Sequence, residues 1–133
     1  MMYFLDTNIC VYFLNNKFPQ IRERIRKIPQ NDIKLPVIVV AELYYGAVKS
    51  AKREQNLSRY SSFTKLYNIV SFDNNAARIY GDIRSQLETK GQTIGGNDLI
   101  IAASTLAKGA VLVTNNTKEF SRVDGLVIED WTI

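Results

Sequence analysis

The 133 residues carry a net charge of +4, with 46% hydrophobic and 23% charged content, which is the balance of a folded chain with a real core and argues against long disorder. The absence of histidine and the presence of one cysteine exclude Ser-His and Cys-His nucleophile pairs, imidazole acid-base couples, His-rich zinc sites and an internal disulfide. Any chemistry must use carboxylates, lysines, hydroxyls or a hard metal ion, and the basic balance leans towards a polyanionic partner.

No apolar run reaches the ~18 residues of a membrane span, and Asp6 breaks the only N-terminal stretch that could be a signal peptide. The expectation is a cytoplasmic protein with no membrane association. Residues 1–133 read as one domain without linker, repeat or low-complexity segment.

Tyr3 to Leu5 is a short apolar run of the kind that forms a buried strand, and Asp6-Thr7-Asn8 interrupts it where a helical pattern of Ile9, Tyr12 and Phe13 takes over. Asp6 therefore sits at a strand-to-helix corner, which in an open α/β sheet is the carboxyl edge where ligands bind. It is readable there as nucleophile, helix cap or ligand. Cys10, on the apolar side of this first helix, reads as a small buried hydrophobe.

Pro19 to Ile28 places Ile21, Ile25 and Ile28 on one helical face with arginines on the others, giving an amphipathic helix with a basic exterior. Ile33 to Leu35 is a short strand, and Pro36 opens the next helix, Val37 to Lys49. Glu42 lies one turn from Ile38, Val39, Tyr45 and Gly46, on or beside the apolar stripe. An unpaired carboxylate is costly to bury, so this placement suggests function, and Gly46 is expected to open space beside it. The stretch Lys49 to Tyr67 reads as a helical hairpin arm with Leu57, Tyr60, Phe63 and Leu66 inside.

Ile69 to Phe72 is a strand, and Asp73 or Asn74 caps a helix whose Ala76, Ile79, Tyr80, Ile83 and Leu87 recur at helical spacing up to Lys90-Gly91. Asp82 is placed to pair with Arg78 four residues back. Ile94 to Asn97 is a glycine-bearing loop running into an apolar helix, with Asp98 at its first turn. Either Asn97 or Asp98 could cap that helix, and Ile101 and Ala102 one turn on aim Asp98 into the fold. Ala110 to Thr114 is a buried strand followed by the polar Asn115-Asn116-Thr117-Lys118-Glu119, Leu126 to Ile128 is a last strand, and Trp131 packs the terminus down. The alternation is α/β, with a central parallel β-sheet and helices on both faces.

Four acids thus fall at comparable places: Asp6 after the first strand, Glu42 on an inward helix face, Asp98 at a helix start and Glu119 after a late strand. Carboxylates at ~4 Å repel by roughly 4 kcal/mol per pair at an effective dielectric near 20, so such a cluster favours a cation. With oxygen ligands only, that cation is Mg²⁺ or Mn²⁺. A hard divalent ion suits phosphoryl chemistry: it binds phosphate oxygens, supplies hydroxide and stabilises an in-line displacement without histidine.

Four segments in this order, Leu5-Asp6-Thr7-Asn8, Ala41-Glu42-Leu43-Tyr44-Tyr45-Gly46, Gly95-Gly96-Asn97-Asp98-Leu99-Ile100-Ile101-Ala102-Ala103 and Leu112-Val113-Thr114-Asn115-Asn116-Thr117-Lys118-Glu119-Phe120, closely resemble PIN-domain ribonucleases, specifically the VapC toxins of bacterial toxin-antitoxin pairs. The resemblance covers essentially the whole chain. It implies a PIN-like three-layer fold and a Mg²⁺-dependent endoribonuclease, with Asp6, Glu42 and Asp98 on the metal side and Thr7, Asn8, Thr114 and Asn116 supporting. Many PIN domains carry a fourth aspartate where this chain has Asn116, which leaves that role to Glu119, to Asn116 or to no residue, and one metal ion or two.

The Thr114 to Phe120 segment and the Glu129-Asp130-Trp131 ending resemble the branch that cuts initiator tRNA in the anticodon loop, so tRNA is the implied substrate. A VapB-type antitoxin covering the site, a homodimer and a higher hetero-oligomer with the antitoxin are implied too. Arg22 to Lys27 and Lys49 to Arg53 are the expected phosphate contacts. Two other functions remain open on the residues alone: an aspartyl-phosphate phosphotransferase using Asp6, whose usual second acid is here Asn8, and a non-catalytic RNA- or protein-binding module whose acids are caps.

Overall fold

The computed structural model describes residues 1–133. Five short strands, β1 (Tyr3–Leu5), β2 (Ile33–Pro36), β3 (Asn68–Val70), β4 (Val111–Val113) and β5 (Val127–Glu129), form one parallel sheet in the order β3, β2, β1, β4, β5. The helices are α1 (Thr7–Leu14), α2 (Pro19–Lys27), α3 (Val37–Lys49), α4 (Arg53–Thr64), α5 (Asn74–Thr89), α6 (Gly96–Ala107) and the short α7 (Thr117–Phe120). Phe4, Leu5, Leu112 and Val113 are all fully buried although successive strand residues point to opposite faces, so helices cover the central strands on both sides. No helix is long and apolar enough to cross a membrane.

The strand order decides where a ligand can bind. The chain winds outward from β1 through β2 to β3, then returns to place β4 on the other side of β1, which makes the β1/β4 boundary a topological switch point. Tyr3, Phe4 and Leu5 pair with Val111, Leu112 and Val113, so the residues just beyond, Asp6 and Thr114, emerge side by side at the carboxyl edge. The Asp6 N–H still donates to the Val113 carbonyl at 3.1 Å, which carries the ladder to the corner.

The structure changes several details of the expected elements. The arm after α3 is broken at Ser50 to Lys52, and Leu66 lies beyond α4, half exposed rather than inside. Strand β3 covers Asn68–Val70 rather than reaching Phe72, because its pairing with β2 runs only from Lys34 to Pro36. Asp73 does cap α5, accepting the Ala76 N–H at 2.9 Å, but Asp82 makes no ion pair with Arg78; the pair on that helix is Arg84 with Glu88. Helix α5 is closed just beyond its Lys90 cap by Gly91, whose φ of +67° is a left-handed conformation that side chains other than glycine rarely adopt.

Trp131 is the largest fully buried side chain, its ring tilted at 53° against Tyr3 with centroids 5.4 Å apart and its indole N–H donating to Glu129. It locks the C-terminal segment against the first strand. Trp131→Ala is expected to cost about 3–5 kcal/mol of unfolding free energy, measurable by urea denaturation, because the cavity opens beside β1.

Candidate active site

Each acid reaches the carboxyl edge for its own local reason. Asp6 ends β1 and caps α1, its Oδ1 accepting the Ile9 N–H at 2.9 Å, which keeps the carboxylate turned back over the helix start. Glu42 sits in the second turn of α3, half-buried, beside the face on which Val39, Val40, Leu43 and Ala47 pack into the core. Asp98 lies in the first turn of α6, where the helix dipole favours an acid. Neither Asn97 nor Asp98 caps that helix: it starts at Gly96 with the backbone of Gly95 at the cap position, so Asp98 is free to face the cleft.

Asp6, Thr7, Asn8, Glu42, Asp98 and Asn116 line one cleft of about 130 Å³, floored by Ile101 and Phe120. The Thr7 hydroxyl donates a short hydrogen bond to Glu42 Oε1, and Asn97 Nδ2 donates to Glu42 Oε2 at 3.2 Å. The Glu42 carboxylate is thereby held from both sides, by α1 and by α6. Thr114 is fully buried beneath the edge, its hydroxyl accepting the Asn116 N–H at 2.9 Å. Glu119 does not line the cleft itself but stands beside it, its Oε2 taking a 3.3 Å hydrogen bond from Asn116 Nδ2.

Electrostatics mark the cleft as an unbalanced anionic site. Burial pushes the Asp6 carboxyl up to about 6, with the charges of Asp98 and Glu42 adding to the rise, while the Thr114 hydroxyl and the Ile9 amide partly offset it. Asp98 is raised as well, first by desolvation and then by Glu119 and Glu42. No lysine or arginine forms an ion pair with any of these four acids. Cys10 is fully enclosed, and burial pushes its thiol well above the ordinary range, which leaves it a packing residue.

No three carboxylates converge closely enough to form a finished metal cage. The oxygen-only donors and the raised carboxyls of Asp6 and Asp98, neither of them paired with a lysine or arginine, nevertheless suit a hard divalent cation, which would bind the ionised forms and keep water in its remaining positions. Gly46 does not make room for Glu42, since it is exposed with open space around it. Asn97 is the residue the sequence leaves out of the site. Its only signal there is its place directly before Asp98, and its contact with Glu42 exists because the tertiary fold brings α6 to α3.

This arrangement of acids at the β1/β4 switch point of a parallel sheet defines a class. The PIN domain family model matches residues 3–126. The Rickettsia felis ribonuclease VapC2 is 44% identical over 132 residues, spanning 98% of both chains, and the Shigella flexneri tRNA(fMet)-specific endonuclease VapC is 38% identical over 132 residues, spanning 99% of both. A chain in the crystal structure of VapBC2 from Rickettsia felis bound to a promoter DNA fragment superposes with a TM-score of 0.93 at 43% identity, covering 98% of this chain and 99% of that one. The protein belongs to the PIN-domain family, within its VapC ribonuclease branch. Ribonucleases of this family are in general dependent on a divalent metal.

Proposed function

We propose that the protein is a Mg²⁺-dependent endoribonuclease that cleaves tRNA, the initiator tRNA anticodon loop first among substrates, and is the toxin of a toxin-antitoxin pair restrained by a VapB-type antitoxin. The observation that carries this is that Asp6, Glu42 and Asp98, from three separate elements, line one cleft in a chain that matches VapC ribonucleases over nearly its full length. The same relatives support the substrate, since two of them are named for tRNA(fMet), and the VapBC crystal structures support the partner. The protein acts in the cytoplasm, as a homodimer that joins the antitoxin in a larger assembly.

In this proposal Asp6, Glu42 and Asp98 hold the metal, with Mn²⁺ able to replace Mg²⁺. When bound there, such an ion would neutralise charge at the phosphate and lower the pKa of a water. Thr7 and Asn97 orient the Glu42 carboxylate, Thr114 supports Asp6 from beneath, and Asn8 lines the mouth. Asn116 and Glu119 share the fourth position: the amide lines the cleft and the carboxylate, hydrogen-bonded to it, adds negative charge facing Asp98.

The test is sequencing of RNA ends after brief expression, with Asp6→Asn beside the wild type. The expected result is a new end at one position of the initiator tRNA anticodon loop, lost in the variant and lost from purified protein in excess EDTA. Ends that are unchanged between wild type and variant would overturn the proposal.

A further inference from the structure

The 17 lysines and arginines divide by what they touch. Along α2, Arg22 donates to the Asn16 side chain at 2.7 Å and Arg24 reaches Glu129 at 3.6 Å, so two of the arginines expected to hold phosphate are committed within the fold. Arg59 closes the end of α1 through the Leu14 carbonyl, and Arg122 donates to the Thr93 carbonyl at 3.0 Å. Arg53 reaches Glu54. Lys17 and Lys49 differ from all of these: both are exposed, neither has a carboxylate within ion-pair distance, and each ammonium stands over a tyrosine ring.

The two tyrosines are tied to the cleft along different helices. Tyr12 follows Asn8 by one turn of α1, and Tyr45 follows Glu42 by one turn of α3, which puts each ring on the same helical face as a cleft residue. The Tyr12 hydroxyl also accepts a 3.3 Å hydrogen bond from Asn115, which lies between Thr114 and Asn116. Lys17 Nζ is 5.0 Å from the Tyr12 ring centre and 5.3 Å from that of Phe18, while Lys49 Nζ is 5.6 Å from that of Tyr45. An aromatic face attracts a cation and limits where it can wander, yet leaves its N–H donors open to solvent.

The turn that presents Lys17 is strained in a way that its neighbours enforce. Asn16 and Phe18 both have left-handed backbones, with φ of 56° and 57°, and Phe18 precedes a proline, where extended geometry is preferred. The Arg22 bond to the Asn16 side chain and the 2.9 Å bond from the Lys17 N–H to the Tyr12 carbonyl hold this conformation. Strain of this kind persists only where surrounding contacts over-determine it, and it clusters at functional segments.

We propose that Lys17 and Lys49, each held over a tyrosine one turn from a cleft residue, are phosphate-binding contacts for a single-stranded stretch of RNA that crosses the cleft. This rests on the RNA-cleaving function proposed above. The lysines set affinity and register, and the acids do the chemistry.

The experiment measures binding of an unmodified initiator tRNA transcript by fluorescence anisotropy across a salt series, together with cleavage kinetics in Mg²⁺, for Lys17→Gln, Lys49→Gln, the double variant and Lys65→Gln as a surface control. Each single variant is expected to weaken binding severalfold and lower the magnitude of the log–log salt slope by about 0.7, the double variant by about 1.4. KM rises with kcat within about twofold, because a contact made equally in ground and transition states changes binding alone. Lys17→Arg and Lys49→Arg keep most of the affinity. Wild-type salt slopes and KM in both single variants, or equal losses in Lys65→Gln, would overturn the proposal. So would unchanged RNA binding alongside lost affinity for a VapB-type antitoxin peptide, which would assign the lysines to that partner. A wild type that binds the transcript without cutting it would count against the nuclease function, while the salt slopes would still decide the lysines.

Discussion

Replacing Asp6 or Asp98 with asparagine is expected to lower RNA cleavage by three orders of magnitude or more, on the order of 4 kcal/mol of transition-state stabilisation, with the fold intact. Both side chains line the cleft, and neither has a lysine or arginine partner that would give it a structural role as half of an ion pair. Asparagine keeps the shape of Asp6 and an oxygen for the Ile9 N–H, so the α1 cap survives while the negative charge is lost. Glu42→Gln is expected to fall with them, since it removes charge from the carboxylate that Thr7 and Asn97 hold in place. Single-turnover cleavage with excess enzyme is the measurement. Activity within tenfold of wild type in a variant with a native circular dichroism spectrum would remove that residue from the proposed metal ligands.

The metal-free protein is expected to lose stability as pH rises. Asp6 titrates at about 6 in the fold against 3.8 when unperturbed, so between those values the native state binds more protons than the unfolded one. Stability is then greatest below the unfolded value, falls as pH rises through the folded one, and the loss is complete above it. A shift of this size corresponds to about 3 kcal/mol, or roughly 10 °C in melting temperature for a domain of this size. The raised carboxyl of Asp98 adds in the same direction.

Thermal melts in EDTA at several pH values test this, and Asp6→Asn should flatten the profile and be the more stable protein at pH 7. Added Mg²⁺ should stabilise the wild type more at pH 7 than at pH 5, because it binds the ionised acids. A melting temperature that climbs from pH 4.5 to 7, or an Asp6→Asn profile no flatter than wild type, would contradict the electrostatic account of the cleft.

Much of this site is legible in the sequence because its signals are local. Asp6 follows a three-residue apolar run and precedes a helical one, so its corner position is readable from seven residues. Glu42 and Asp98 announce themselves by the apolar periodicity around them. The fourth position is less legible: Asn116 and Glu119 are three residues apart, and only the packing of α7 shows that the amide enters the cleft while the carboxylate stays behind it. Leu66 shows the limit from the other direction, since its apolar character and spacing place it inside, yet the chain has left α4 by then and turns it outward.

By itself the sequence narrowed the kind of chemistry and determined the class of fold. A chain without histidine and with one cysteine is left with carboxylates, lysines, hydroxyls or a hard cation, and alternating short apolar runs and amphipathic helices make an α/β parallel sheet, because both follow from residue type and local periodicity. Only the tertiary structure decided the strand order that sets β4 beside β1, and hence Thr114 beneath Asp6. It alone decided that Asn97 holds Glu42 and that Arg22 and Arg24 face Asn16 and Glu129 while Lys17 and Lys49 make no ion pair. The physical reason is that pairings between residues 35 to 112 positions apart, such as Thr7 with Glu42 or Gln20 with Thr132, leave no periodic trace in the chain and arise from packing helices on both faces of one sheet.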